Sequence, residues 1–219
     1  MAEPPSRLVE IADAVGRDWV EAPYFAAAEA ATPGQWEGII LPFLEPEATG
    51  IDFAETLDLA AGHGRHSARL LPLAGRLHIV DIRPENIAAC RARFGEDPRI
   101  AWHVTDGCTL PVPDRSISFL FCFDAMVHFD SDVVRAYLRE IARALRPEGH
   151  AFLHHSNDDR APGGDFRRHP AWRNFLSLRL MAHYAMKEGL QVARQQALDW
   201  QHDGTECDGL TLLRALPAA

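Results

Sequence analysis

The stretch ETLDLAAGHGRHSARL, residues 55–70, decides the fold of this 219-residue chain. Its apolar run predicts a short strand, yet Asp58 stands inside that run, and a bend of small residues follows at 60–64. In doubly wound α/β proteins, ligands bind at the carboxyl ends of the strands, where glycines let a ligand approach the backbone. Because an anion ahead of such a bend repels a pyrophosphate, Asp58 favours a cationic ligand instead.

The rest of the chain predicts a doubly wound α/β fold with a mostly parallel sheet. Apolar runs alternate with amphipathic stretches, which predicts strands at 56–60, 78–81, 100–104, 117–123 and 150–155 with helices between them. The last of these helices is expected to begin at Asp130 or Ser131 and to stop at 146–149. After a helix at 174–188, two further strands at 191–200 and 210–216 are joined by a turn too short for a parallel crossover, so the sheet is expected to end in an antiparallel hairpin.

One domain is expected. Residues 1–50 are predicted to form a helical lid segment, broken by Pro23, Pro33, Pro42 and Pro46, and residues 51–219 the ligand-binding domain. A loop insert is expected near 157–173. Its basic and aromatic residues leave two alternatives open, recognition of an acidic or sugar substrate and a dimer contact.

Composition narrows the class of protein. The chain contains 22 Lys and Arg against 31 Asp and Glu, a net charge of −9, which disfavours nucleic acid as a partner. Residues 1–10 have neither the basic nor the apolar region of a secretory signal, and no stretch approaches the ~20 apolar residues of a membrane helix. The four cysteines form no C-x-x-C pair and are expected to be reduced. A cytoplasmic monomer or homodimer, without nucleic-acid or membrane partners, is therefore expected.

Two further acids follow the pattern of Asp58. Asp81 ends the second predicted strand, where a carboxylate can accept both hydroxyls of a ribose, and Asp106 ends the third, where it can accept from the amine of adenine. Each acid by itself is equally well explained as a helix cap or a turn former. Together, three carboxylates at one sheet edge predict a site for an adenosyl ligand that carries positive charge.

These features resemble the class I S-adenosylmethionine-dependent methyltransferases over about residues 52–216. Residues 58–64, DLAAGHG, are similar to that family's D-x-G-x-G-x-G motif, with Ala60 in place of the first glycine, and LRPEG at 145–149 is similar to its turn before strand five. The resemblance implies a seven-stranded Rossmann-like sheet, S-adenosylmethionine as cofactor and S-adenosylhomocysteine as product. The cofactor-binding residues it implies are Asp58, Ala60, Gly62, Gly64, Asp81, Ile82, Asp106, Gly107, Cys122, Phe123 and Tyr24.

Histidines after the fourth and fifth strands are the candidates for the chemistry. His128 matches a position where many small-molecule members of the family carry a histidine, and a pKa of ~6.5 suits a base near neutral pH. His155 is a second candidate base, although only one of His154 and His155 is expected to face the site because strand residues alternate. His154, Asn157 and Arg173 are the candidate substrate contacts. No metal is predicted, since the alternative of a divalent ion at Asp158 or Asp159 fits no fixed ligand spacing.

The predicted function is methyl transfer from S-adenosylmethionine to a small molecule, favouring the oxygen of a hydroxylated metabolite such as a sugar or natural product. Three alternatives stay open: N-methylation of a small amine or amino acid, an NAD-dependent oxidoreductase and a non-catalytic protein that binds the cofactor. Ser67, where the last glycine of a dinucleotide motif would fall, opposes the oxidoreductase.

Overall fold

A computed structural model describes residues 6–19 and 24–217 of the chain, so Pro23 and the first five residues lie outside the described part. Its centre is a seven-stranded sheet in the order β3-β2-β1-β4-β5-β7-β6, in which β1 to β5 run parallel and β7 pairs antiparallel with both β5 and β6. The strands are Glu55–Leu59 (β1), Arg76–Asp81 (β2), Ile100–Val104 (β3), Ile117–Cys122 (β4), Leu145–Ser156 (β5), Leu190–Leu198 (β6) and Asp208–Ala215 (β7). The predicted fold class and its C-terminal hairpin are confirmed.

Helices cover both faces of this sheet. The central strand β4 is buried at every position, as its continuous apolar sequence predicts for a strand packed on both sides. Two apolar clusters, one on each face, make up the core. The α-helices are Arg7–Arg17 (α1), Tyr24–Gln35 (α2), Leu41–Leu44 (α3), Ser67–Leu70 (α4), Pro84–Phe94 (α5), Ser131–Ala144 (α6) and Leu178–Lys187 (α7).

Helix α6 begins where the sequence predicts it. The side chain of Asp130 accepts a hydrogen bond from the backbone of Asp132 at 2.8 Å, which satisfies one of the free amides of the first turn. The end of the helix differs from expectation. Strand β5 begins directly at Leu145, and the residues predicted as a turn form a bulge within it, with Glu148 at φ +65° and a shift of register against β4.

The described part of the N-terminal segment, residues 6–19 and 24–50, is helical, and Pro33, Pro42 and Pro46 do not break it as predicted. Pro33 lies inside α2, where it cannot donate a backbone hydrogen bond to the preceding turn. The chain nevertheless continues into a π-helix at Trp36–Ile40, a wider turn with a different hydrogen-bond spacing. Pro42 and Pro46 lie in the first turns of their helices, where the absent N–H had no partner. Helices α1 and α2 contribute residues to the cavity described below, on its outer side.

Candidate active site

The main cavity of the described chain lies at the carboxyl ends of β1, β2 and β4, beneath α1 and α2. It occupies about 1080 Å³ including the space at its open mouth, a size that suits a small organic ligand. Eight of the sequence-predicted site residues with a cofactor role line it, and so does the candidate base His128. The eight are Tyr24, Asp58, Ala60, Gly62, Asp81, Ile82, Gly107 and Phe123.

The bend after β1 forms the floor of the cavity in a conformation that side chains disfavour. Gly62 has φ +56°, and a Cβ atom built on it would lie 2.8 Å from Cε1 of Phe25, so α2 packs directly on the bend. Ala60 also has a positive φ, +58°, at the position where the related motif has glycine. A left-handed alanine costs about 1–2 kcal/mol, which the surrounding packing must offset.

Asp81 fixes the bend from the neighbouring strand. Its Oδ2 accepts a hydrogen bond from the Gly62 amide at 2.9 Å, and its Oδ1 accepts from the Arg83 amide at 2.8 Å and the Asn86 side chain at 3.1 Å. A carboxylate offers about four acceptor positions, so one remains for a hydroxyl of a ligand in the cavity. Burial raises the pKa of Asp81, and these three hydrogen bonds oppose that rise.

Asp58 is the most deeply buried acid of the cavity, with 2% of its surface exposed. Burial raises its pKa from 3.8 to about 7, against the hydrogen bond that the Ser67 hydroxyl donates to its Oδ2 at 2.5 Å. Within the described residues its other oxygen has no hydrogen-bond partner. A ligand that brings an ammonium group to this oxygen would compensate the buried charge, so the site fits the cationic ligand that the sequence predicts.

Asp106, by contrast, does not line the cavity. It is exposed, and its Oδ1 accepts from the backbone of Cys108 at 2.9 Å and from both the backbone and the hydroxyl of Thr109. Its neighbours Thr105 and Gly107 line the cavity in its place. Helix α1 closes this end, because a Cβ atom on Gly107 would lie 2.5 Å from that of Ala12. Of the three carboxylates predicted to face one ligand, Asp58 and Asp81 line the cavity and Asp106 does not.

A buried ion pair joins the lid segment to the end of β4. Asp124, at φ +59°, accepts hydrogen bonds from the hydroxyl of Tyr24 and from Nη2 of Arg65, the latter at 2.8 Å. Nη1 of Arg65 in turn bonds Gln35 of α2 at 2.5 Å. Burial and the Asp124 carboxylate both raise the pKa of Tyr24, so its hydroxyl keeps its proton. The sequence predicts Asp124, together with Cys122 and Phe123, as lining of the cofactor pocket, and Asp124 does line the cavity. It does not single out Arg65, although Arg65 directly follows the glycine bend.

His128 lies on the same side of the cavity. Its Nδ1 is 2.5 Å from the carbonyl oxygen of Trp172, and since a carbonyl only accepts, Nδ1 carries the proton and Nε2 keeps its lone pair. The ring stacks on Trp19 with 4.6 Å between centroids. Burial lowers the pKa of His128 to about 4, so the imidazole is neutral at pH 7.

The histidines of β5 lie behind the cavity rather than in it. His154 is fully buried: Nε2 is 2.8 Å from Asp208, and Nδ1 accepts from the backbone amide of Asp124 at 3.1 Å. His155 points to the other face, between the carbonyl of Ser156 and the hydroxyl of Thr211, both at 2.8 Å. Both rings are hydrogen-bonded to protein groups through both nitrogens and neither lines the cavity, so the structure does not bring the candidate base His155 or the candidate substrate contact His154 to it.

The other predicted substrate contacts, Arg173 and Asn157, also lie outside the cavity wall and are bonded to protein groups. Arg173 is bound by Asp208 through Nε and, at 2.6 Å, through Nη2, and by the Ala171 carbonyl through Nη1. Asn157 connects Glu206 to Leu178 through its amide. Two predicted cofactor residues, Cys122 and Gly64, are absent from the cavity wall, Cys122 because it is buried in the core and Gly64 because it packs on Phe94 of α5.

The described residues contain no cluster of three or more His, Cys, Asp or Glu side chains arranged to hold a metal ion. The four cysteines are buried thiols without disulfide partners. No helix in residues 6–19 or 24–217 has the length and apolar character required to cross a bilayer.

Comparison with known proteins agrees with this geometry. Residues 56–149 match the family described as "Methyltransferase domain", and the comparison with curated proteins finds no match to the sequence. Among solved structures, a SAM-dependent methyltransferase from Leishmania major has a TM-score of 0.74 at 12% identity, covering 95% of this chain and 87% of its own.

Two others are SAM-dependent methyltransferases from Methanosarcina mazei and Mesorhizobium loti. The first has a TM-score of 0.63 at 13% identity over 82% of this chain and 98% of its own, and the second 0.59 at 16% over 74% and 92%. At these identities the solved structures establish the shared fold and nothing further. The chain therefore has the fold of SAM-dependent methyltransferases, and its residues 56–149 match a methyltransferase domain.

Proposed function

We propose that the chain binds S-adenosylmethionine in the main cavity and transfers its methyl group to the oxygen of a small hydroxylated metabolite, a sugar or a natural product. The observation that carries this proposal is His128, a neutral imidazole whose Nε2 lone pair is free in the cavity that also contains Asp58 and Asp81. A hydroxyl group must lose its proton as it attacks, and a neutral imidazole is the group that accepts one.

The residues that would hold the cofactor are those whose spare hydrogen-bonding capacity fits it. Asp58 would bind the ammonium group through its unpartnered oxygen, Asp81 a ribose hydroxyl through its remaining acceptor position, and Ile82 and Gly107 the adenine. The bound cofactor supplies a methyl group on a positively charged sulfur. Residues 1–50 would act as a lid, since α1 and α2 cover this end of the cavity.

The role of His128 is limited by its pKa. A base with a pKa near 4 is a weak proton acceptor, so we expect its contribution at the lower end of the 10²–10⁴-fold range of general bases. Alignment of the acceptor supplies the rest of the rate enhancement. The protein would act in the cytoplasm as a monomer or homodimer, and its charge of −9 favours a small-molecule acceptor over nucleic acid.

The test is to incubate the protein with metabolite pools and S-adenosylmethionine labelled on its methyl group, and to identify the labelled product. The variant His128→Gln is expected to bind S-adenosylhomocysteine as the wild type does and to lose about 100-fold in turnover. His183→Gln, on the exposed side of α7, is the matched control. Full turnover by His128→Gln would refute the assignment, and a labelled amine as the product would favour N-methylation instead.

A further inference from the structure

His66 is a buried histidine of the cavity wall that the proposed mechanism does not use. It directly precedes α4, after the glycine bend, and 4% of its surface is exposed. It lines the same cavity as Asp124 and His128, and its ring contacts Phe121 and Phe123 at the end of β4, whereas Asp81 ends β2. If the acids of β1 and β2 hold the cofactor, the space beside His66 is left for the methyl acceptor.

Neither ring nitrogen of His66 has a hydrogen-bond partner among the described residues. The other deeply buried histidine of the cavity, His128, is bonded through Nδ1. Of the three histidines of β5, His154 and His155 are bonded through both nitrogens, and His150, which lies outside the cavity, leaves only Nδ1 buried and unpaired. Leaving two polar atoms buried and unpaired costs free energy that a phenylalanine at the same position would not incur. An imidazole here is therefore explained by a ligand that pairs with it.

The surroundings of His66 indicate the chemistry of that ligand. Three aromatic rings flank it: Phe123 edge-on at 5.1 Å, Phe121 at 5.3 Å and Trp36 at 6.2 Å between centroids. Burial and the nearby guanidinium of Arg65 push its pKa well below 6.5, so the ring is neutral and offers one donor and one acceptor. Further aromatic residues line the cavity, namely Trp19, Tyr24, Phe25 and Phe129.

The guanidinium with the largest effect on His66 is neutralised. Arg65 is paired with Asp124 at 2.8 Å, so this pair favours neither an acidic nor a cationic acceptor. Flat aromatic walls favour an aromatic ring, by stacked or edge-to-face contact, over the polar faces of a sugar. An uncharged hydroxyl matches the neutral imidazole.

We propose that His66 binds the methyl acceptor and that this acceptor is an aromatic alcohol, held with its ring among Phe123 and the aromatic wall and with a hydroxyl or other neutral polar substituent hydrogen-bonded to the imidazole. This inference rests on the proposed function and narrows its substrate class. It makes His66 a residue that determines acceptor specificity, while His128 remains the base.

The experiment compares two sets of acceptors with the full-length protein and labelled S-adenosylmethionine. Phenol, catechol and 7-hydroxycoumarin form the aromatic set, and myo-inositol and methyl glucoside the non-aromatic set. The wild type is expected to methylate members of the aromatic set in preference. His66→Phe is expected to raise KM for them at least tenfold with less change in kcat, while the Kd for S-adenosylhomocysteine stays within twofold.

A conservative variant and a stability measurement separate binding from structure. His66→Asn, which keeps one donor and one acceptor, is expected to recover part of the lost affinity. His66→Phe is expected to raise the Tm of the ligand-free protein by about 2–4 °C, because it removes the unpaired atoms. His183→Gln again serves as the control and is expected to change neither KM nor Tm.

Each contrary result has a distinct meaning. A wild-type protein that fails to bind S-adenosylhomocysteine would refute the proposed function itself. Binding of that ligand with methylation of the non-aromatic set alone, or of neither set, would overturn the aromatic acceptor and leave the function standing. An unchanged KM in His66→Phe, or a lowered Tm with KM unaltered, would overturn the role of His66.

Discussion

Asp58→Asn removes the buried carboxyl group on which cofactor binding is proposed to depend, and its effect on stability is predicted to vary with pH. The folded protein keeps the Asp58 proton up to a pKa of about 7, whereas the unfolded chain releases it near 3.8. Between these pH values the folded state binds more protons than the unfolded state, so this group makes stability fall as pH rises, with no further change above pH 7.

The size of the effect follows from the same two values. At about 1.4 kcal/mol per pH unit, the interval from 3.8 to about 7 corresponds to at most about 4 kcal/mol lost between pH 4 and pH 7. Asparagine does not titrate, so Asp58→Asn is expected to gain stability relative to the wild type over this interval. Urea unfolding at several pH values measures the difference, with the exposed Asp106→Asn as the matched control.

Cofactor binding reports the same proton. A ligand ammonium favours the carboxylate form of Asp58, so binding of S-adenosylhomocysteine at pH 6 is expected to release close to one proton. Below pH 7, the Kd is expected to fall about tenfold for each unit by which the pH rises. Titration calorimetry in two buffers of different ionisation enthalpy counts that proton. Asp58→Asn is expected to bind more weakly and to release none. Equal proton release by both proteins, or parallel stability curves, would refute the role assigned to Asp58.

Three further changes test the packing around the site. Ala60→Gly is expected to stabilise the protein by about 0.5–1 kcal/mol in urea unfolding, because relief of the left-handed strain exceeds the entropy cost of glycine; destabilisation would show that the strain is absent. Gly62→Ala is expected to lower stability by about 1–2 kcal/mol and to weaken S-adenosylhomocysteine binding, and Phe25→Leu in the same chain to restore part of both, whereas additive losses would contradict the contact. Arg173→Leu is expected to cost about 3–5 kcal/mol, since it leaves Asp208 buried without its cation, and to leave the Kd for S-adenosylhomocysteine unchanged in the folded protein; a specific loss of substrate affinity without destabilisation would return Arg173 to the binding site.

The order of strands and helices was predictable because local periodicity and connection length determine it. Alternation of apolar runs and amphipathic stretches predicts the parallel strands, and a short final turn permits only the antiparallel hairpin. The same reasoning places Asp58 and Asp81 at one edge of the sheet, because both end parallel strands. The bulge at Glu148 was not predictable, since proline and glycine signal a turn equally well in a bulge and between elements.

Several residues predicted to contact a ligand lie outside the cavity because their side chains are bonded to other protein groups. The side chain of Asp106 accepts hydrogen bonds from the backbone amides two and three residues ahead of it in its own turn. Aspartate makes such local bonds readily, so its carboxylate is not free for a ligand. Asp208 on β7 binds both Arg173 and His154, and it is distant from both in sequence. Strand alternation correctly separates His154 from His155, but it carries no information about the partners that saturate each ring. Asp124 and Arg65 meet through the fold alone.

A crystal structure with S-adenosylhomocysteine tests most directly whether the main cavity is the cofactor site. The ligand is expected between β1, β2 and α1, with its amino group on Asp58, a ribose hydroxyl on Asp81 and its sulfur facing the space lined by His66 and His128. A ligand bound elsewhere, or one in this cavity whose amino group contacts neither oxygen of Asp58, would contradict that assignment.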